Sequence, residues 1–127
     1  MQCNHLMAVL LALFVVGCAE KKEPLKSHDK PVSYWVEELK KPNPKARKKA
    51  VVALGHVGAA DSAAIPALIG ALKDRDVRVR AEAVLALLNI GQDASDAIPA
   101  LLDAQHDPDA TVRSHAAKAL ERIRGGN

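Results

Sequence analysis

Aromatic side chains are nearly missing from this chain. There is one Phe, one Tyr and one Trp in 127 residues, although 49% of the residues are hydrophobic. A β-sandwich core draws on aromatic and β-branched strands, and a single-stranded nucleic-acid groove stacks bases on rings, so the composition argues against both. The core has to be built from Ala, Leu, Val and Ile, which suits closely packed helices. Cysteine is scarce too, with two in all, Cys3 and Cys18, which excludes a disulfide framework. Neither sign of charge dominates. Eighteen basic residues face 15 acidic ones, a net +3, which gives no argument for DNA or RNA binding. The longest apolar run, Leu6 to Val16, is 11 residues. As a helix it rises about 16 Å, roughly half the hydrocarbon thickness of a bilayer, so it cannot span one.

What is present in abundance is repetition. Ile65-Pro66-Ala67-Leu68 returns 33 positions later as Ile98-Pro99-Ala100-Leu101. Arg47, Arg80 and Arg113 share a column of this period, as do Ala50, Ala83 and Ala116, and Leu54, Leu87 and Leu120. A period of this length marks a solenoid, in which each unit buries its apolar face by stacking on the next.

Each repeat holds two amphipathic segments. In the second repeat, Ile65, Leu68, Ile69 and Leu72 follow the i, i+3, i+4, i+7 spacing of a helix face. Val32, Trp35, Val36 and Leu39 occupy the same columns in the first repeat. The third repeat offers Ile98, Leu101 and Leu102, then Gln105. Ser62 or Ala63, and Ser95 or Asp96, are the expected caps of the first helices. The second helices begin after Asn43, Asp76 and Asp109, whose side chains can accept from the first free N–H groups. Pro44 fits the first helical position, and Gly58 and Gly91 are the expected C-caps. The predicted fold is an all-α solenoid, a right-handed stack of three antiparallel helix pairs at about 32–60, 61–93 and 94–125 within a domain of residues 32–127. In the last repeat Leu85 and Leu88 give way to Lys118 and Glu121, the polar outer face that a terminal repeat needs.

The stretch Asp74 to Gly91, with its Asp-x-Asp-Val-Arg-x-Arg-Ala-x-Ala core, resembles a HEAT repeat of the short class first described in phycobilisome lyases. The resemblance covers roughly residues 32–124. It implies a ladder between neighbouring repeats, here Arg80 and Arg113 with Asp74 and Asp107. Repeat one carries Lys41 in the acidic column. It also implies that the second helices line the concave side of the stack. The columns expected to face outward there are Lys45/Arg78/Thr111, Lys49/Glu82/His115, Val52/Leu85/Lys118 and His56/Asn89/Arg122. They mix charged and apolar groups, as a protein or peptide partner requires.

The amino-terminal run ends in Val15-Val16-Gly17-Cys18, which resembles the lipobox of bacterial lipoproteins. The resemblance implies a signal peptide over residues 1–17 and a lipid on Cys18. A charged tether over residues 18–31 follows. The leading Met1-Gln2-Cys3-Asn4-His5 departs from such signals in having no Lys or Arg. Ala19 replaces the Asp that would retain a lipoprotein at the inner membrane, which points to the outer one if the cell is Gram-negative.

The other polar residues are absorbed by structure. Asp74-x-Asp76 and Asp107-x-Asp109 recur at the inter-helix turns of the second and third repeats, which favours capping over metal binding or acid–base work. The histidines form no ligand pair, and His56 and His115 are expected to be solvated. Trp35 aligns with Leu68 and Leu101 and is expected to cap the hydrophobic stack, with Tyr34 more exposed. Lys41, Lys45, Lys48 and Lys49 with Arg47 form a basic cluster, either a solvated helix face or a contact for an anionic partner. The expectation is thus a non-enzymatic scaffold of the bacterial cell envelope. It is membrane-anchored, has no metal, cofactor or nucleic-acid partner, and binds protein on the second-helix face. The alternatives are a lyase-like, enzyme-associated protein and a self-associating structural part.

Overall fold

The computed structural model describes residues 29–125. Among the described residues six α-helices form three pairs: α1 (Val32–Glu38) with α2 (Pro44–Val57), α3 (Ala64–Ala71) with α4 (Val77–Ile90), and α5 (Ile98–Ala104) with α6 (Ala110–Gly125). The described residues contain no strand. The fold class read from the period is therefore the observed one. The long helices form the spine, α2 packing on α4 and α4 on α6, while each short helix packs on the long helix of its own pair.

Small side chains let the spine close up. Ala50, Ala83 and Ala116 are fully buried, and beside them lie the fully buried Leu54 and Leu87 and the nearly buried Leu120. A Cβ on Gly55 would stand 2.8 Å from the Ala86 Cβ, so α2 and α4 touch through atoms next to their backbones. A ring in these columns would force the helices apart, which is the physical reason that the sequence has so few. Trp35, at 4% exposure, fills the end of the column continued by Leu68 and Leu101. Tyr34 lies edge-on to it, ring centroids 5.0 Å apart, and is 41% exposed.

The second helices start as their sequence dictates. Asn43 Oδ1 accepts from the Lys45 N–H at 2.9 Å and Asp76 Oδ1 from the Arg78 N–H at 2.8 Å. Asp109 Oδ1 accepts from the Val112 N–H at 3.0 Å. Of the short helices, α3 starts from Ala63 as its N-cap, one of its two expected caps, whereas α5 starts from Ala97 and not from Ser95 or Asp96. Neither Ala63 nor Ala97, their observed N-caps, has a capping side chain. Asp61 works instead, accepting from the Ala63 N–H at 3.0 Å. Ser95 and Asp96 lie inside a 3-10 segment, Gly91–Ala97, that runs into α5. Gly91 takes φ 74°, a left-handed conformation. Gly58 keeps an ordinary helical φ of −62° and is small for another reason. A Cβ there would fall 2.5 Å from Ile90 Cδ1.

Candidate binding face

Arginine in the spine has two jobs, which decide how much of the polar surface is left for binding. Arg47 donates from Nε and Nη2 to the two carboxylate oxygens of Asp74, at 2.9 and 3.1 Å. Arg80 does the same to Asp107, at 2.8 and 3.2 Å. Each rung therefore runs from the Arg of one repeat to the Asp of the next. The third guanidinium nitrogen, Nη1, turns back to its own repeat, where it donates to the turn carbonyls of Lys41 and Pro42, of Asp74 and Arg75, and of Asp107 and Pro108 from Arg47, Arg80 and Arg113 respectively. The first rung among the described residues belongs to Arg47, and no described repeat precedes Lys41 with an Arg to meet. Arg113 has no Asp to meet among the described residues, and its hydrogen bonds there are to carbonyls alone.

Asp74 and Asp107 also accept from the N–H groups of Asp76 and Asp109, at 2.8 and 2.9 Å. Both acids of each Asp-x-Asp pair are thus committed to structure. Burial works to raise the Asp107 carboxyl, but the Arg80 and Asp109 hydrogen bonds outweigh it and hold the group below its usual range. The Asp74 carboxylate in turn raises Arg47 above the ordinary guanidinium value. The Arg78 guanidinium, with backbone N–H groups behind it, holds Asp76 far below a normal carboxyl.

A pH dependence follows. A carboxyl depressed in the fold contributes stability that is complete above its unfolded pKa, about 3.9 for Asp, and is lost as pH falls through the folded value. Asp107→Asn should therefore flatten the loss of stability between neutral pH and the acid range. Chemical denaturation at a series of pH values checks this. A slope as steep as that of the natural chain contradicts the role given to Asp107.

The outward columns of the spine remain open. Lys45, Arg78 and Thr111 are exposed, as are Lys49, His56, Asn89, Lys118 and Arg122. Val52, Glu82, Leu85 and His115 are half-buried. The centre of the face is thus a partly covered apolar step, Val52 and Leu85, bordered by charge. Some of that charge is already engaged. Arg78 makes a two-point ion pair with Asp76, its shorter contact 2.8 Å, and Lys48 approaches Glu82 at 3.9 Å. His115 departs from the solvated role expected of it, because its Nδ1 is buried and has no hydrogen-bond partner in the structure.

The sequence reading missed one part of this face. An open groove of about 590 Å³ lies between the end of α4 and α6. It joins Lys118 and Arg122 to Gln92, Asp93 and Glu121, with Ile90 and Gly91 at its base. Its only signal in the sequence is Gly91, whose left-handed φ turns the chain into the 3-10 segment.

Among the described residues no group of three or more His, Cys, Asp or Glu could hold a metal ion. No described helix is long and apolar enough to cross a membrane. Cys18, the signal peptide at 1–17 and most of the tether at 18–31 lie outside the described residues.

A family model described as HEAT repeats matches residues 32–124. No curated protein matches the chain. Among solved structures, the chain is similar to an engineered protein from the Northeast Structural Genomics Consortium. The two are 25% identical with a TM-score of 0.61, over 72% of this chain and 44% of that one. This chain therefore spans less than half the length of that protein.

Proposed function

This chain belongs to the HEAT-repeat family, whose repeats generally mediate protein–protein interaction or scaffolding, and on that premise we propose that it is a non-catalytic binding module held at the bacterial cell envelope by a lipid on Cys18. The partner is a protein or peptide that lies across the outward columns of α2, α4 and α6, from Lys49, Glu82 and His115 to His56, Asn89 and Arg122. The observation that carries this reading is the half-buried step of Val52 and Leu85 at the middle of an otherwise polar face. Apolar groups flanked by exposed Lys49, Asn89 and Lys118 provide a desolvated centre and a hydrated rim, the usual layout of an interface. The carboxylates and guanidinium groups that resemble chemistry in the sequence are spent on the ladder and the caps, which supports binding over catalysis.

Photo-crosslinking in the native envelope tests the face. A photoreactive residue at Leu85 or Asn89 should give a discrete adduct with a partner. One at Leu102, which is 39% exposed on α5, should give none. Adducts from Leu102 alone, or equal adducts from all three positions, contradict this reading.

A further inference from the structure

The basic cluster read from sequence is not one patch. Arg47 is buried in the ladder and Lys48 leans toward Glu82. The fold assembles a different one. The turns inside the first and second repeats lie side by side, tied by the Arg75 guanidinium, which donates across them to the Pro42 carbonyl at 3.2 Å. Lys40, Lys41 and Arg75 line one open groove between these turns, and Lys73 and Arg75 line the next. Lys45 and Arg78 open the adjoining long helices at the same edge.

Three of these charges are compensated. Lys40 pairs with Glu37, Lys41 with Glu38 and Arg78 with Asp76. Among the described residues Lys45 and Lys73 make no ion pair, although Asp103 lines the same groove as Lys73, and Arg75 meets only a carbonyl. The other long edge of the stack has the reverse character. Its loops, residues 58–63 and 91–97, carry Asp61, Asp93 and Asp96 and no Lys or Arg. From residue 81 to 112 the chain has six acids and not one Lys or Arg. The turn edge of the first two repeats is therefore the more cationic of the two, although Lys118 and Arg122 of α6 lie beside Asp93 at the other.

We infer that this turn edge is a docking surface for an anionic lipid bilayer, which orients the domain with its acidic edge away from the membrane. The chemistry of the edge selects that occupant. Lys45, Lys73 and Arg75 are exposed point charges, and the Arg47 and Arg80 guanidinium groups in the adjoining grooves are already paired with Asp74 and Asp107, so they form no cradle for a single small anion. Lysine is depleted at protein interfaces, and neither groove of this edge is lined by the aromatic anchors that dominate binding energy there. A charged headgroup plane asks for neither. It attracts each exposed cation additively, without desolvating it. The inference rests on the proposed envelope setting for its context, and does not need Cys18 to carry a lipid.

Vesicle flotation of the full chain tests it, with vesicles of phosphatidylcholine alone and vesicles containing phosphatidylglycerol. The ratio of the two partition coefficients is the readout, because the apolar run at residues 6–16 contributes to both. The natural chain should favour the anionic vesicles on the order of tenfold or more, from about fivefold for each cation at the surface. That preference should collapse in high salt. Lys45→Gln with Lys73→Gln should remove most of it while leaving thermal unfolding unchanged. Asp61→Asn with Asp96→Asn, on the opposite edge, should leave it intact. A ratio near one for the natural chain overturns the inference, as does an undiminished ratio in the lysine variant. Acylation at residue 18 is read separately by mass, so an acylated chain with no anionic preference rejects this edge and leaves the anchor standing.

Discussion

Arg80→Ala should cost about 3 kcal/mol of stability, the scale for removing one partner of a largely buried ion pair. Asp107 would be left with its charge, little water and only the Asp109 N–H. The turn carbonyls of Asp74 and Arg75 would lose their donor as well. Denaturant titration measures the loss, and hydrogen exchange locates it, since the third repeat should open before the first two. Two controls fix the interpretation. Arg75→Ala, exposed and bonded only to Pro42, should change stability little. Arg113→Ala should cost less than Arg80→Ala, because it loses carbonyl contacts and no rung. Equal costs at Arg80 and Arg113 would show that the rung itself contributes nothing.

A second large effect is expected at Gly55→Leu, again about 3 kcal/mol, at the upper end of the usual cost of overpacking. Glycine inside a helix is ordinarily about 1 kcal/mol worse than alanine, so its presence in α2 needs a reason. The reason is the Ala86 Cβ, 2.8 Å from where the new carbon would sit. The spine would have to open between α2 and α4, disturbing the contact on which the stack depends. Gly70 is the contrasting case. It lies in α3 with nothing within 4 Å of an added Cβ. Gly70→Ala should stabilise by about 0.5–1 kcal/mol. Melting curves of the two variants should move in opposite directions, and a common direction would contradict the close-contact account.

These two sites show what a sequence can and cannot disclose. The columns of Ala50, Leu54 and their equivalents gave fold and core, because a 33-residue period repeats the same burial three times. Asn43, Asp76 and Asp109 gave the helix starts, because capping is local. The direction of the ladder was hidden. An Arg recurs in all three units and an Asp in the last two, and only packing shows that Arg47 reaches forward to Asp74, 27 residues on. Lys41 therefore looked like a broken rung, although no described repeat precedes it with an Arg to meet. The 3-10 segment at Gly91–Ala97 was hidden as well. Asp96 and Ser95 are good caps by type, yet the left-handed turn at Gly91 starts the coil early and takes them into it. The charge of the turn edge was hidden for the same reason as the ladder. Lys73 and Arg75 are distant from Lys40 in sequence, and stacking brings their turns together.

The face and the edge assign the domain two directions, one toward a protein and one toward a bilayer, and both depend on the chain being held at the envelope. Intact mass of the protein extracted from its native membrane, with a Cys18→Ser control, tests that most directly. The account predicts a chain that begins at residue 18 and carries added acyl mass, with the addition lost in the control. An unmodified chain recovered from the soluble fraction would contradict it.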